Sequence, residues 1–410
     1  LTGDRYRVVE KRKHQKWPMV RLGEVCEERN IKVGKDFNRY RVCTISSLNK
    51  GFIYQEEYFE KKIASENREN YKIVKKGWIG YRPPGLDIGT IGLQELDDIV
   101  IVSPLYAIFE ITHDSVLDKF LIKLLQSEQF KQIVKPLMIG STRPLVTSKV
   151  FLNLSIPLPP LEVQQEIVAE IEGYQKLIDG CRQVIDAWKP DVEGYLEEEL
   201  KTYLAEHPEK QEELAEGWPM VKLGEVCEIN PKKSEVANLN GDITVSFLPM
   251  EDIGTVQNIL PKNEKKLSEV YKGYTYFKEN DVLVAKVTPC FENGKSGIAR
   301  NLKNGIGFGS SELHVLRPIK EKIISEYIYP YISSNRFLKE GAKMMTGTGG
   351  LQRVPTFFIQ EYQIPLPPLE VQQRIVEKIE AERKVINSLR EMIKTYEEKI
   401  KQVIDSVWGE

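Results

Sequence analysis

The chain has little of what redox or metal chemistry is usually built from. Its five cysteines, Cys26, Cys43, Cys181, Cys227 and Cys290, are scattered, and no two form a Cys-x-x-Cys pair. That spacing suits neither a zinc site nor a disulfide framework, and predicts free thiols in a reducing compartment, the cytoplasm. There are four histidines, His14, His113, His207 and His314, none with an acidic or nucleophilic neighbour at a telling spacing. No apolar run approaches the ~18 residues of a membrane span, and the opening Leu1-Thr-Gly-Asp-Arg-Tyr-Arg7 lacks the apolar stretch of a secretory signal. Cofactor loops are missing too. Gly294-Lys-Ser296 has the end of a phosphate loop, but Pro289 stands where the first glycine belongs. Gly305-Ile-Gly-Phe-Gly309 lacks dinucleotide spacing and predicts a turn. No metal or cofactor is expected on this chain.

Net charge is also low, −2 over 410 residues, but it is unevenly distributed. Residues 1–150 hold 26 Lys+Arg against 19 Asp+Glu, while residues 151–217 hold 5 against 16. Residues 218–355 return to 19 against 15. Two basic blocks are separated by an acidic one, and a polyanion responds to such local surfaces rather than to the whole-chain sum.

What the chain does have is an internal repeat. Trp17-Pro-Met-Val-Arg-Leu-Gly-Glu-Val-Cys-Glu27 returns as Trp218-Pro-Met-Val-Lys-Leu-Gly-Glu-Val-Cys-Glu228. Ile156-Pro-Leu-Pro-Pro-Leu-Glu-Val-Gln-Gln165 returns as Ile364-Pro-Leu-Pro-Pro-Leu-Glu-Val-Gln-Gln373. Between these frames residues 33–150 and 234–354 share only faint echoes, such as Gly77–Arg82 against Asp281–Lys286. The pattern predicts one scaffold used twice around two different recognition surfaces. Each divergent block carries short β-rich runs and one late helical stretch, 117–134 and 323–344, and so reads as a mixed α/β globule.

Each Pro-Leu-Pro-Pro element launches a helix. In the first, Ile167, Ile171, Tyr174, Ile178, Cys181, Ile185 and Trp188 alternate by four and three. In the second, Ile375, Ile379, Glu382, Ile386, Leu389, Ile393, Tyr396, Ile400, Val403 and Val407 do the same, with Glu382 the one charged interruption. This is the seam of helices that pair along their length. Two repeats related by a two-fold axis would pair them antiparallel. The seams correspond to ~33 and ~50 Å of helix.

This order of frames, divergent blocks and helices resembles the specificity subunit of type I restriction–modification enzymes, over residues 17–410. The resemblance implies an α+β fold: two pseudo-two-fold-related mixed α/β target-recognition domains, separated by two long antiparallel coiled-coil helices. The domains would span 17–155 and 218–363, and the helical regions 156–217 and 364–410. It implies a non-catalytic chain that reads a bipartite site in double-stranded DNA. Its partners would be adenine methyltransferase subunits, two of them, and a restriction/translocase subunit, which would hold S-adenosylmethionine and ATP. Residues 1–16 do not start with Met, and Leu-Thr-Gly-Asp-Arg-Tyr-Arg is similar to the tail of such a methyltransferase. That leaves open the C-terminal specificity region of a fused methyltransferase–specificity polypeptide. A coiled-coil scaffold that binds no DNA is a further alternative, against which the basic blocks speak.

Base and phosphate contacts need Arg, Lys, Asn, Gln, Ser or Thr on accessible loops. In the first block the candidates are Lys75, Lys76, Tyr81 and Arg82 in a basic–aromatic turn, then Ser141, Thr142 and Arg143. In the second they are Lys286, Thr288, Asn293 and Lys295, then Thr348, Gln352 and Arg353, which match the Ser-Thr-Arg segment in position.

Overall fold

A computed structural model describes residues 16–45, 51–58, 66–140, 145–348 and 350–409. The chain divides into two compact units. One comprises Leu1–Asp186 with Ser388–Glu410, the other Ala187–Asn387.

The first unit is built on an antiparallel sheet in the order Cys26–Glu28, Ala107–Ile111, Ile79–Tyr81, Ile91–Leu93. Ile79, Tyr81, Leu93 and Phe109 alternate onto one face and bury against the helices Asp118–Leu125 and Glu128–Val134. The expected single helical stretch is broken because Ser127 caps the second helix, its Oγ accepting from Phe130 N–H at 3.2 Å.

The second unit repeats this core. Its sheet runs Cys227–Ile229, Leu313–Pro318, Val282–Ala285, Ser296–Ala299, Thr255–Ile259, backed by the helices Ser325–Ile332 and Asn335–Lys343. Ser334 caps the latter helix as Ser127 does in the first unit. A four-stranded sheet, Asn263–Lys266, Thr244–Leu248, Ile306–Gly309, Thr275–Lys278, is added. Gly305–Gly309 is therefore largely a strand and not the expected turn. Gly307 is required there by packing, because a Cβ would lie 2.1 Å from the Phe277 ring.

The repeated frames turn out to be partners. Met19–Arg21 pairs antiparallel with Ser155–Pro157, and Met220–Lys222 with Gln363–Pro365. The first glutamine after each Pro-Leu-Pro-Pro then locks the helix to its unit. Gln164 Nε2 donates to Ser115 O and Pro159 O, both at 2.8 Å, and its Oε1 accepts from Leu117 N–H at 2.9 Å. Gln372 does the same with Lys322 O, Pro367 O and Ile324 N–H. Both glutamines are fully buried, which requires such complete satisfaction.

The two long helices are Leu161–Ala187 and Leu369–Trp408. In the first unit Ile167 and Val168 share a core with Ile404, Val407 and Trp408, and further along Tyr174 stacks on Tyr396 at 5.7 Å. Numbers rise on one helix as they fall on the other, so they run antiparallel. Ile171 and Ile178 are buried, while Ile185, Leu389, Ile393 and Ile400 are half-buried. The first helix ends before Pro190, and Asp191 caps a further helix, Val192–Glu206. In the second unit that helix lies along the start of Leu369–Trp408: Arg374 pairs with Glu199 at 2.6 Å and Lys378 with Glu198 and Glu199 at 2.9 and 2.8 Å. Ile375 and Ile379 bury with Leu196 and Trp218, so this part of the predicted seam packs on its own unit. Ile386 is buried as well. Among the described residues no helix is long and apolar enough to cross a membrane.

Candidate nucleic-acid interface

In the second unit the strand Val282–Ala285 runs on into Lys286, Val287 and Thr288. There it meets a hairpin in which Thr346–Thr348 pairs with Leu351–Arg353. Thr288 N–H donates to Gln352 O at 3.0 Å, and Val354 N–H donates to Lys286 O at 2.8 Å. Gly347 sits at φ 142°, and a Cβ would come 2.4 Å from Leu351 O, so only glycine closes this hairpin. Lys286, Thr288, Gln352 and Arg353 are thereby brought to one edge of the unit, with Thr348 on the hairpin's other strand.

Their availability differs. Thr348 and Gln352 are exposed. Arg353 forms a two-pronged pair with Glu312, Nε to Oε2 at 2.8 Å and Nη2 to Oε1 at 2.7 Å. Arg353 holds the Glu312 carboxyl below the usual carboxylate range. Thr288 Oγ1 donates to Glu292 Oε1 at 3.1 Å, and Lys295 Nζ is tied to Met250 O at 3.0 Å. Asn293 is exposed on the intervening turn.

In the first unit a bridge between Ile139 and Leu145 stands at the same point of the fold as the Thr346–Arg353 pair. Ser141, Thr142 and Arg143 fall between its two residues and lie outside the described residues. Val146 N–H donates to Pro83 O at 3.3 Å, the counterpart of Val354 on Lys286. Arg82 is exposed beside it.

Two of the expectations are corrected. Tyr81 is fully buried in the aromatic core, stacked on Phe109 and tilted against Phe151, its hydroxyl donating to Val146 O at 3.0 Å. It cannot face a ligand. Lys75 and Lys76 do not share a turn with Arg82; they precede the strand Ile79–Tyr81, and Arg82 follows it. Both lysines are exposed, with Lys76 paired to Asp97 at 2.6 Å and Lys75 5.7 Å from the Trp78 ring centre.

Sequence reasoning missed Glu312 and His314. His314 is 3% exposed, and burial holds its imidazole below the ordinary range. The signal was a polar residue at an inward position of the alternating run Leu313–Pro318. Among the described residues no group of three or more His, Cys, Asp or Glu could hold a metal ion.

The chain is similar to known proteins. The chain is 39% identical over 202 residues to the Type I restriction enzyme EcoAI specificity subunit of Escherichia coli, covering 49% of this chain and 34% of that protein. It is 45% identical over 169 residues to the EcoEI specificity subunit of the same organism, covering 41% and 28%. These matches thus span about a third of those relatives. A chain from a structural study of complex assembly and conformational transition of the type I R-M system shares the fold at 22% identity. Its TM-score is 0.55, covering 95% of this chain and 97% of that one. Residues 14–186 and 215–402 each match the type I restriction modification DNA specificity domain. The duplicated frames, the two like sheets and the antiparallel helices are accounted for together, because the chain belongs to that family.

Proposed function

We propose that this chain reads a bipartite sequence in double-stranded DNA, one half-site per unit, and brings no catalytic group of its own. The observation that carries this reading is the repeated anchor: Val354 N–H on Lys286 O below the Thr346–Arg353 hairpin, and Val146 N–H on Pro83 O beside the Ile139–Leu145 bridge, with different residues around each. Gln352, Thr348 and Arg353 in one unit, and Arg82 with Ser141, Thr142 and Arg143 in the other, are the readers of base edges and phosphates. Glutamine suits adenine and arginine suits guanine or phosphate. Methyl transfer and cleavage fall to two adenine methyltransferase subunits and a restriction/translocase subunit, which hold S-adenosylmethionine and ATP. The site of action is the cytoplasm.

The test is selection from a randomised duplex pool with the full chain, in the presence and absence of methyltransferase subunits. Two enriched half-sequences separated by an unread gap are expected. Replacing residues 33–150 with the block of another family member should change one half and leave the other intact. Retention of no duplex at all, with the chain folded and bound to its partner subunits, would instead support a protein-docking scaffold.

A further inference from the structure

In each unit one backbone carbonyl, at the foot of the Thr346–Arg353 hairpin or next to the Ile139–Leu145 bridge, is held from inside the core. In the second unit Val354 O accepts from His314 Nε2 at 2.9 Å. In the first, Val146 O accepts from Tyr81 Oη at 3.0 Å. Both donors are buried, His314 at 3% exposure and Tyr81 at 0%. The tautomer of His314 follows from its other contact. Asn230 Oδ1 accepts from Val315 N–H at 2.9 Å, which turns the Asn230 amide nitrogen toward His314 Nδ1 at 3.3 Å. Nδ1 is therefore the acceptor and Nε2 carries the hydrogen.

The donors come from opposite members of one cross-strand pair. His314 lies across from Val284, and Tyr81 across from Ala107. The anchors Val146 to Pro83 and Val354 to Lys286 fix the correspondence. Tyr81 stands where the second unit has Val284, and Ala107 where it has His314. The echo of Gly77–Arg82 against Asp281–Lys286 is thus out of step by one residue. Each rung holds one bulky polar side chain and one apolar partner, with the two roles exchanged between strands. Since neither residue nor strand is shared, what the two units have in common is the hydrogen bond itself.

We infer that His314 and Tyr81 are positioning residues for DNA reading: His314 fixes the register of Val354 at the foot of the Thr346–Arg353 hairpin and Tyr81 that of Val146 next to the Ile139–Leu145 bridge, so that nearby side chains, such as Gln352 and Arg82, meet base edges in one geometry. This rests on the DNA-reading function proposed above. A freed carbonyl here is buried and must find another donor, which moves the hairpin. The one-residue alternation of a strand then turns a reader away from the DNA.

The experiment is the randomised-duplex selection, run on the full chain with four proteins and read as base preference in each half-sequence. His314→Leu is expected to flatten preference about tenfold in one half only, and Tyr81→Phe in the other half only. The double variant Val284→Tyr with His314→Ala, which installs the first unit's arrangement in the second, should restore the half lost in His314→Leu. Should His314→Leu fail to fold, Tyr81→Phe decides alone, because it removes one hydroxyl and keeps the core filled. Variants that melt earlier yet keep both preferences would reduce His314 and Tyr81 to structural residues and overturn the proposal. A wild-type chain that enriches no sequence would overturn the DNA-reading function, and this inference with it.

Discussion

Trp188 donates its indole N–H to Glu382 at 3.1 Å, and Glu382 is the one charged residue in the helical seam. Tyr195 donates its hydroxyl to the same carboxylate. Burial, together with that hydrogen bond, pushes the Tyr195 phenol up to about 12. The carboxylate joins Trp188, just past the end of the first long helix, to the helix after the break. Glu382→Leu would complete the apolar seam, and a heptad rule would score it as stabilising. We expect the reverse, a loss of about 1–3 kcal/mol in urea unfolding, because two donors lose their acceptor. A gain in stability would show that the seam, not the carboxylate, sets the packing.

Arg317 grips Asp281 with two bonds of 2.8 and 2.9 Å and reaches Glu235 at 2.8 Å. The Asp281 side chain is 2% exposed, and its burial raises the carboxyl while Arg317 opposes that rise. Arg317→Met should cost about 3–5 kcal/mol, since it strands a buried charge. Adding Asp281→Asn should recover part of that loss. Equilibrium denaturation of the single and double variants measures both; no recovery would mean that packing, not charge, makes Arg317 indispensable.

Glu312 neutralises Arg353 at the hairpin foot. Glu312→Gln is expected to tighten binding to random duplex and steepen its salt dependence by about one phosphate contact. Arg353→Ala should weaken binding by about 1–3 kcal/mol, selectively at one position if Arg353 reads a base, and evenly over all sequences if it holds a phosphate. Filter-binding titrations at several salt concentrations distinguish these outcomes. No change from either variant would remove Arg353 from the interface.

His314 titrates below its ordinary value in the folded chain, chiefly through burial, with the nearby Lys286 charge acting in the same direction and its bond to Val354 O opposing. The unfolded chain therefore takes up this proton first. Stability from this group is complete above the ordinary imidazole pKa of about 6.5. It is lost as pH falls from there through the lower folded-state value. Urea midpoints should drop over that interval in the wild type, and the drop should be smaller in His314→Gln. Equal slopes would show that other groups carry the acid sensitivity.

The frames, the helices and the antiparallel pairing were legible because their signals are local or repeated. A helix declares itself by its period and a duplication by identity. Gln164 and Gln372 lay within a visible repeat, although their role as buried locks required the loops at Ser115 and Lys322 to be in place. Tyr81 was misread because a basic–aromatic run looks alike whether its aromatic points out or in, and only strand register decides that. The helix break at Pro190 was signalled by the proline and by Asp191 after it. What that second helix packs on was not, since Glu199 meets Arg374 and Lys378 across some 175 positions. Glu312 and His314 gain their meaning from a hairpin forty residues downstream, a relation that no spacing rule encodes.

Trp408 donates its indole N–H to Ser127 Oγ at 3.1 Å, closing a loop of 281 positions. With Ile404 and Val407 it packs into the first unit's core, to which Phe120 and Phe130 also belong, whereas the second unit is one uninterrupted run, Ala187–Asn387. Translation makes the whole of the second unit before it makes the segment that seals the first. The earlier half therefore cannot complete its core until the last turns of the final helix exist, whereas the later half needs nothing made after Asn387.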